Sequence, residues 1–565
     1  MRAVPYDRFS RYDELTEILQ AWAEEAPRLY ALESIGRSYE GREIWLATIT
    51  NLDTGPALEK PAFLVEANIH SLEVSGCTAA LHLIHRLLSG YDSDPKVTRA
   101  LDTRAFYVIP RLNPDGAELA LAEHPRFVRS SVRPWPRVDL QDGLHEEDVD
   151  GDGRVLFMRV PDPNGAWRAA EEDPRLLVAR GPLETPEDGQ FYRLLPEGRL
   201  RNFDGVTIKT PPPLEGLDLN RNFPMEWATE AEQLGAGPYP TSEPEVRALV
   251  QAIVDRPNLT GYIAYHTFSG VHLRPYSSYD DDHFPTGDLR AFELIGREAT
   301  RLTGYPAVSI YHDFKYDPKQ TIKGGADDWI YDHLGVFAWT TEFWSPQRQA
   351  GLNGYHFIEW LREHPVEDDL ALLRWFDERY PDRAYVDWYS FDHPELGPVE
   401  LGGWDLMSFW GNVPLDLLEA EVTPHSEWAL FHALVSPLLE VHSLDVERVG
   451  EGAWRVRLVL LNSGWLPTHV TEKALARKAV RPLEVELTLP DGARLAAGER
   501  LTEAGQLAGR VHKRSPLWWG NDESTSDRIK LEWVVEGPAG AEVGIEARHA
   551  RAGTLRRVVQ LSDTT

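Results

Sequence analysis

A change of hydrophobic period along the chain constrains the fold more than any other feature. Up to about Tyr380, short apolar runs such as PAFLVEANIH, RAFYVIP, LTGYIAYHTF and VFAWTTEF alternate with stretches of helical spacing. Apolar runs of strand length, unbroken by polar residues, belong to strands covered on both faces, so this part predicts an α/β fold: a mixed, largely parallel sheet flanked by helices. Two helices are well signalled. Leu81, Ile84, Leu87 and Leu88 repeat at helical spacing within Gly76 to Leu88, and Ser242 with Glu245 predicts a capping box opening a helix that runs to Val254. From about Leu438 the period becomes two. Trp454, Val456, Leu458 and Leu460 alternate with Arg455 and Arg457, and Leu483, Val485, Leu487 and Leu489 alternate with Glu484, Glu486 and Thr488. With RIKLEWVVEG, VGIEARHA and TLRRVVQL these predict an all-β sandwich over residues 438–565. The expected division is therefore an α/β domain over 1–380 with an inserted segment at 130–215, a connector at 381–437 carrying the turn-rich HPELGPVELGGW and a helix around Leu415 to Leu434, and the sandwich.

At 565 residues the chain is long enough for two or three domains with substantial cores. Cys77 is the single cysteine, which excludes an intramolecular disulfide framework and any cysteine-built metal site, so a metal must sit on His, Asp and Glu. The formal charge is −32, and residues 1–440 carry −33 of it. Such a field repels polyphosphate, and nucleic acid and anionic membrane are excluded as expected partners. No run approaches the roughly 20 apolar residues of a membrane span. The opening MRAVPYDRFSRYDELTEIL lacks an apolar core of signal-peptide length, and a cytoplasmic location is the expectation.

Three residues stand at the exits of apolar runs. His70 follows PAFLVEANI and is spaced three from Glu73, His266 ends GYIAY, and Glu342 follows AWTT. In an open α/β sheet, strand carboxyl ends face the ligand crevice. An H-x-x-E pair lets an imidazole and a carboxylate meet at one ion, and zinc accepts both donor types with a position left for water. Between these points lie RLNPDG, RFVRSS and GLDLNRNFP, the last placing Asn220 beside Arg221.

In the order HSLE, NPDG, RFVR, DLNRNF, YHTFSG, GGADDW and TTEF, between about Ser10 and Tyr380, the chain resembles the zinc carboxypeptidases of the carboxypeptidase A and B type, the funnelin-like metallocarboxypeptidases. The resemblance implies a single catalytic zinc on His70, Glu73 and His266, with Glu342 as general base. It implies that Arg129 stabilises the oxyanion, that Asn220 and Arg221 grip the terminal carboxylate of a peptide substrate, and that Asp218 supports the metal ligands. It further implies hydrolysis of C-terminal residues. Two other readings remain open: a relative that cuts an unusual amide, such as a peptidoglycan peptide or an acylated amino acid, and a zinc-binding protein without catalysis. The first family-like segment, ESIGRSYEGREIW, begins by Glu33, so no propeptide is expected and the enzyme is expected to be active as made.

The chain departs from the family in three places. The insertion at 130–215 contains EDVDGDGRVLFMRVPDP, in which Asp148, Asp150, Asp152 and Gly153 copy the start of an EF-hand loop while Arg159 stands at the twelfth position. A structural calcium ion, closed by another acid such as Asp162, and a plain Asp/Gly turn are both compatible with this pattern. Gln320 occupies the place of the family's substrate-capping tyrosine, with Tyr311 and Tyr316 as candidates to replace it. Asp327 falls at the base of the specificity pocket, where an acid selects Lys or Arg, and it is equally well placed as a helix cap.

Overall fold

The computed structural model describes residues 1–317, 319–511, 517 and 523–562. Its centre is an eight-stranded mixed sheet made of β1 (Tyr30–Arg37), β2 (Glu43–Ile49), β3 (Ala62–Ala67), β4 (Ala105–Ile109), β5 (Leu259–Thr267), β6 (Val271–Arg274), β7 (Ala307–Ser309) and β8 (Phe337–Phe343). The spatial order is β1-β2-β4-β3-β5-β8-β6-β7. The central run β4-β3-β5-β8 is parallel, while β1, β2 and β6 introduce antiparallel pairs. Every residue of β3, β5 and β8 is buried, as unbroken apolar runs require.

Helices cover both faces. The helix α1 (Ser75–Gly90) is buried almost all round because it is sandwiched between the sheet and a later helix. A second helix, α2 (Pro244–Val254), begins one residue later than a capping box at Ser242 and Glu245 predicts. Glu243 is its N-cap and makes no side-chain cap, Ser242 Oγ instead donates to Glu243 Oε1 at 2.7 Å, and Glu245 accepts from Tyr39 N. Pro244 explains the shift, since a proline at the first helical position needs no partner for the amide hydrogen it lacks.

Residues 381–437, expected to connect, do more than that. Tyr385–His393 and Gly397–Trp404 form a hairpin that pairs through Phe157–Pro161 with the inserted segment, giving a six-stranded sheet. The partner strands are more than two hundred residues apart in sequence, which local patterning cannot reveal. The helix α4 (Leu415–Leu434), numbered after α3 (Ala326–Leu334), puts Leu418, Val422, Trp428, Ala429 and Ala433 into the main core, and His432 stands edge-on to Phe63 of β3 at 4.9 Å.

The C-terminal part is a sandwich of two four-stranded antiparallel sheets, with the strands read from the sequence at Ala453–Asn462, Glu484–Thr488, Arg528–Glu536, Glu542–His549 and Gly553–Gln560. Its own core holds Val456, Leu458, Leu460, Val485, Leu487, Trp533 and Val535. No helix of the described residues is long and apolar enough to cross a membrane.

Candidate active site

At the exit of β3 the chain turns through Asn68, whose φ of 61° suits asparagine better than most side chains. Its Nδ2 donates to His70 O at 2.7 Å, and its Oδ1 accepts from the buried Arg111 at 3.0 Å. The turn presents His70 and, three residues on, Glu73. The His70 Nδ1 lies 2.8 Å from Glu73 Oε1, and His266 Nδ1, at the end of β5, lies 2.9 Å from Glu73 Oε2 and 3.1 Å from His70 Nδ1. All three side chains are buried. They form one of two groups of potential metal-ligating side chains among the described residues.

These contacts test whether a cation belongs here. Asp218 Oδ1 stands 3.1 Å from His70 Nε2 and draws the ring proton to that nitrogen, so that Nδ1 presents a lone pair to a carboxylate and to a second imidazole. Such a meeting of three donors is repulsive unless positive charge lies among them. The titration behaviour agrees. Burial disfavours charge on both rings, yet the neighbouring carboxylates outweigh it and hold His70 and His266 above the usual histidine value, while the imidazoles hold Glu73 well below the carboxylate range. Two imidazoles and a carboxylate are a fitting zinc donor set.

Glu342 is the register partner of His266 across the parallel pair β5 and β8. Burial pushes its carboxyl up to about 8, opposed by His266; a divalent cation alongside would draw it down again. Arg129 reaches over the donors with Nε 3.0 Å from Asp218 Oδ2 and Nη1 3.3 Å from Glu73 Oε1, its side chain still 44% exposed. Its loop is stitched to the turn: Ser130 Oγ donates to Ile69 O at 2.8 Å, and Asn113 Nδ2 donates to Ser130 O at 2.6 Å. Asn113 also caps the helix Pro114–Ala120. Asn113 and Ser130 were not singled out from the sequence, although Asn-Pro is a recognisable helix-start signature.

Asp218 caps the short turn that carries Asn220 and Arg221. Burial raises its carboxyl, but Arg221, Arg129 and His70 overcome this and hold it well below the normal range. Asn220 Oδ1 accepts from Ala326 N at 2.9 Å, tying the turn to the start of α3. The glycine pair before α3 allows that approach, since Gly324 has φ of 72° and a Cβ there would come within 2.3 Å of Arg221 O.

One cavity of about 40 Å³ gathers His70, Arg129, Asn220, Arg221, His266, Asp327 and Glu342. Tyr316 lines it as well, whereas Tyr311 does not and lies beneath Lys315. Asp327 does not cap α3 as expected: the helix starts at Ala326 with Gly325 as its N-cap and no side-chain cap, so Asp327 stands within the first turn, where Oδ1 accepts from Asp328 N at 3.0 Å and Oδ2 accepts from Thr340 Oγ1 at 3.4 Å, and it borders the cavity. Burial raises its carboxyl, and Thr340 and the backbone counter this only in part.

The acidic loop in the insertion lies elsewhere and differs from expectation. Asp148, Asp150 and Glu197 form the second group, and Asp152 is turned away to Arg154 at 2.5 Å. Asp148 accepts from Gly151 N and Gly153 N, Asp150 from Asp152 N, and Glu197 from Val149 N and Leu156 N. Asp162 pairs with Arg193, and Arg159 pairs with Glu400 between the rings of Tyr192 and Trp388. The contacts are those of Asp/Gly turns, and the calcium expectation gains no support from them.

Comparison with known proteins agrees with this geometry. Residues 15–359 match a family described as zinc carboxypeptidase, and residues 438–560 match a domain of unknown function. A zinc carboxypeptidase of Saccharothrix mutabilis subsp. capreolus is 29% identical over 132 residues, 23% of this chain and 28% of that protein. Carboxypeptidase A1 of Mus musculus is 22% identical over 354 residues, 62% of this chain and 65% of that protein. The chain thus spans from about a quarter to just under two thirds of these relatives. Among solved structures, carboxypeptidase A from Helicoverpa armigera aligns with a TM-score of 0.40 at 19% identity, covering 66% of this chain and 75% of that one. With its family match covering more than half its length and the family's blocks gathered around a single cavity, this chain belongs to the zinc carboxypeptidase family.

Proposed function

We propose that the protein is a metallocarboxypeptidase that removes C-terminal residues from peptides. The observation that carries this reading is the convergence, in one cavity, of three metal donors, a carboxylate and an Asn–Arg pair. Zinc, when bound, supplies Lewis acidity that polarises the scissile carbonyl and acidifies water. The residues of the chain do the rest. Glu342 takes a proton from the attacking water as its oxygen joins the carbonyl carbon, then delivers it to the amine nitrogen as the C–N bond breaks. Arg129 faces the charge that develops on the carbonyl oxygen, where a fixed donor is commonly worth a few kcal/mol. Asn220 and Arg221 hold the terminal carboxylate, the planar guanidinium suiting two parallel hydrogen bonds. Asp218 keeps the ring of His70 in the tautomer and orientation the metal needs.

Asp327 makes Lys or Arg the proposed C-terminal preference, because a buried carboxylate without a cation gains most from one. A cavity of about 40 Å³ holds a water or two, so a long side chain enters only if the lining shifts. Glu342→Gln tests the main reading. The variant should fold and retain zinc while turnover on a blocked dipeptide falls by several orders of magnitude, since an amide accepts no proton here. Retention of a third of wild-type turnover would remove Glu342 from this role.

A further inference from the structure

Next to the candidate metal ligands opens a second cavity, of about 560 Å³, whose lining does not include Arg221. It shares His70, Glu73 and Arg129 with the donor site, and its other wall is Phe268, Trp360, Trp404, Leu406 and Trp410. All of these except Phe268 lie C-terminal to residues 15–359, the stretch matched by the family. We infer that this aromatic cleft is a specificity subsite for the residue preceding the scissile bond, and that it selects a bulky apolar side chain, above all Phe or Trp. The inference rests on the peptidase reading, which puts the terminal carboxylate at Arg221 and the scissile bond at the donors. The preceding residue then has the shared wall to follow, and that wall leads into the cleft.

The cleft is built before any ligand arrives. Trp360 and Trp410 lie 6.2 Å apart with ring planes at 27°, Trp404 meets Trp410 at 5.5 Å and 71°, and Phe268 meets Trp410 at 6.1 Å and 87°. His364 stacks on Trp360 at 4.0 Å, and is held there by one hydrogen bond to Trp360 O and an ion pair with Asp369. Rings locked by one another lose little freedom when a ligand is added, which favours affinity. A third cavity, of about 500 Å³, continues the groove past Leu361, His364, Asp369 and Trp404 toward the six-stranded sheet, leaving room for further upstream residues.

The chemistry favours an apolar peptide over a saccharide. Sugar hydroxyls need a ring of available hydrogen-bonding side chains. Here Trp360 Nε1 is bound to Asp368 and His364 to Trp360 O and Asp369, Trp410 Nε1 has no partner among the described residues but is buried, and in the continuing groove Trp388 Nε1 is bound to Arg175 O, leaving mainly carbon surface on offer.

The test uses the full-length zinc-loaded enzyme and N-acetyl dipeptides of one fixed C-terminal residue, with Phe, Trp, Leu, Ala, Gly or Glu before it. The kcat/KM should be at least tenfold higher for Phe or Trp than for Gly. Leu406, which is 41% exposed and so replaceable without opening the core, is changed to Asp; this should lower the Phe to Gly ratio at least fivefold, whereas the same change at Leu501, exposed on the sandwich, should leave the ratio as it was. Calorimetric binding of the same dipeptides is measured in parallel. Binding that discriminates Phe from Gly without any hydrolysis keeps the cleft and overturns the peptidase reading. Hydrolysis with a flat profile, or a Leu406→Asp ratio equal to wild type, overturns the cleft. Tight binding of a chito-oligosaccharide with no discrimination among the dipeptides overturns it in favour of a glycan groove.

Discussion

Asp218 is the residue on which the site's geometry turns. It bonds His70 Nε2 through one oxygen and Arg129 Nε through the other, with Arg221 Nη2 3.9 Å away, so a single carboxylate orients a metal donor and both arginines. Asp218→Asn keeps the shape and loses the charge; zinc affinity and kcat/KM should each fall by about 10–100-fold, read by competition with a chelator and by steady-state kinetics. An unchanged zinc affinity would show that His70 needs no such support. Asp327 makes a separate prediction. If it reads the substrate, the wild type should prefer Arg over Leu at the C-terminus and Asp327→Ala should reduce that ratio by tenfold or more, whereas a residue acting only in the first turn of α3 would lower stability and leave the ratio alone. His70, His266 and Glu342 were legible in the sequence because each ends or follows an apolar run, a position that sheet topology turns into a crevice, and Glu73 by its spacing of three from His70. Asn113 and Ser130 were not, since their role is to bond backbone carbonyls of segments remote in sequence.

At the level of elements, the sandwich docks on the α/β body through a helix start. The short helix Glu472–Ala476 points its first amides at Asp288, which accepts from Glu472 N at 2.7 Å and Lys473 N at 3.0 Å while Tyr331 donates to it at 2.9 Å. Burial nonetheless raises the Asp288 carboxyl to about 6, against 3.8 for an ordinary aspartate. The folded state therefore binds this proton more tightly than the unfolded chain does. The group favours folding below about pH 4, and that advantage fades as pH rises through 6, an effect on the order of 3 kcal/mol across the interval. Asp288→Asn, which still accepts from backbone amides, should flatten the difference in unfolding free energy between pH 4 and pH 7 relative to wild type, as measured by urea titration at each pH. An identical pH dependence in the two proteins would mean that Asp288 titrates normally. The hairpin 385–404 shows where element-level reading stops: HPELGPVELGGW, which holds its turn and second strand, reads as a turn-rich connector because Gly and Pro are frequent there, yet it pairs with Tyr385–His393 on one side and Phe157–Pro161 on the other.

For the whole molecule, the contacts of Arg551 argue that the two bodies unfold together. This arginine is 3% exposed and donates to Gly335 O at 3.0 Å, to His469 O at 3.2 Å and to Leu334 O, the two carbonyls at 334 and 335 being those at the end of α3. A Cβ on Gly335 would come within 2.4 Å of the Ala474 backbone, so the approach needs glycine as well. Arg551→Met removes the guanidinium from Leu334 O, while Gly335 O keeps Thr471 Oγ1 and His469 O keeps Thr471 N; at about 1–3 kcal/mol it should lower the melting temperature or split one calorimetric transition into two. A wild type that already shows two transitions would refute the coupling. The charge of −32 adds a kinetic expectation for the same whole: kcat/KM on cationic peptides should fall as salt rises from 0.02 to 0.5 M while that on neutral peptides holds steady.

By itself the sequence determined the two textures of the chain, the parallel centre of the first sheet, the sandwich strands and the placing of His70, His266 and Glu342 at the ends of apolar runs. All of these follow from local spacing: hydrophobic period selects the element, and a polar residue at the end of a buried strand has few places to go but the crevice. Tertiary structure alone decided the rest. It joined residues 157–196 to 385–404 in one sheet, put Glu197 where Asp152 was expected, brought Tyr316 rather than Tyr311 to the cavity, and assembled tryptophans at 360, 404 and 410 into a wall beside the metal donors. The physical reason is the same in each case. These contacts join segments far apart in the chain, and their free energy depends on what the rest of the fold has already buried, a quantity that no window of neighbouring residues contains.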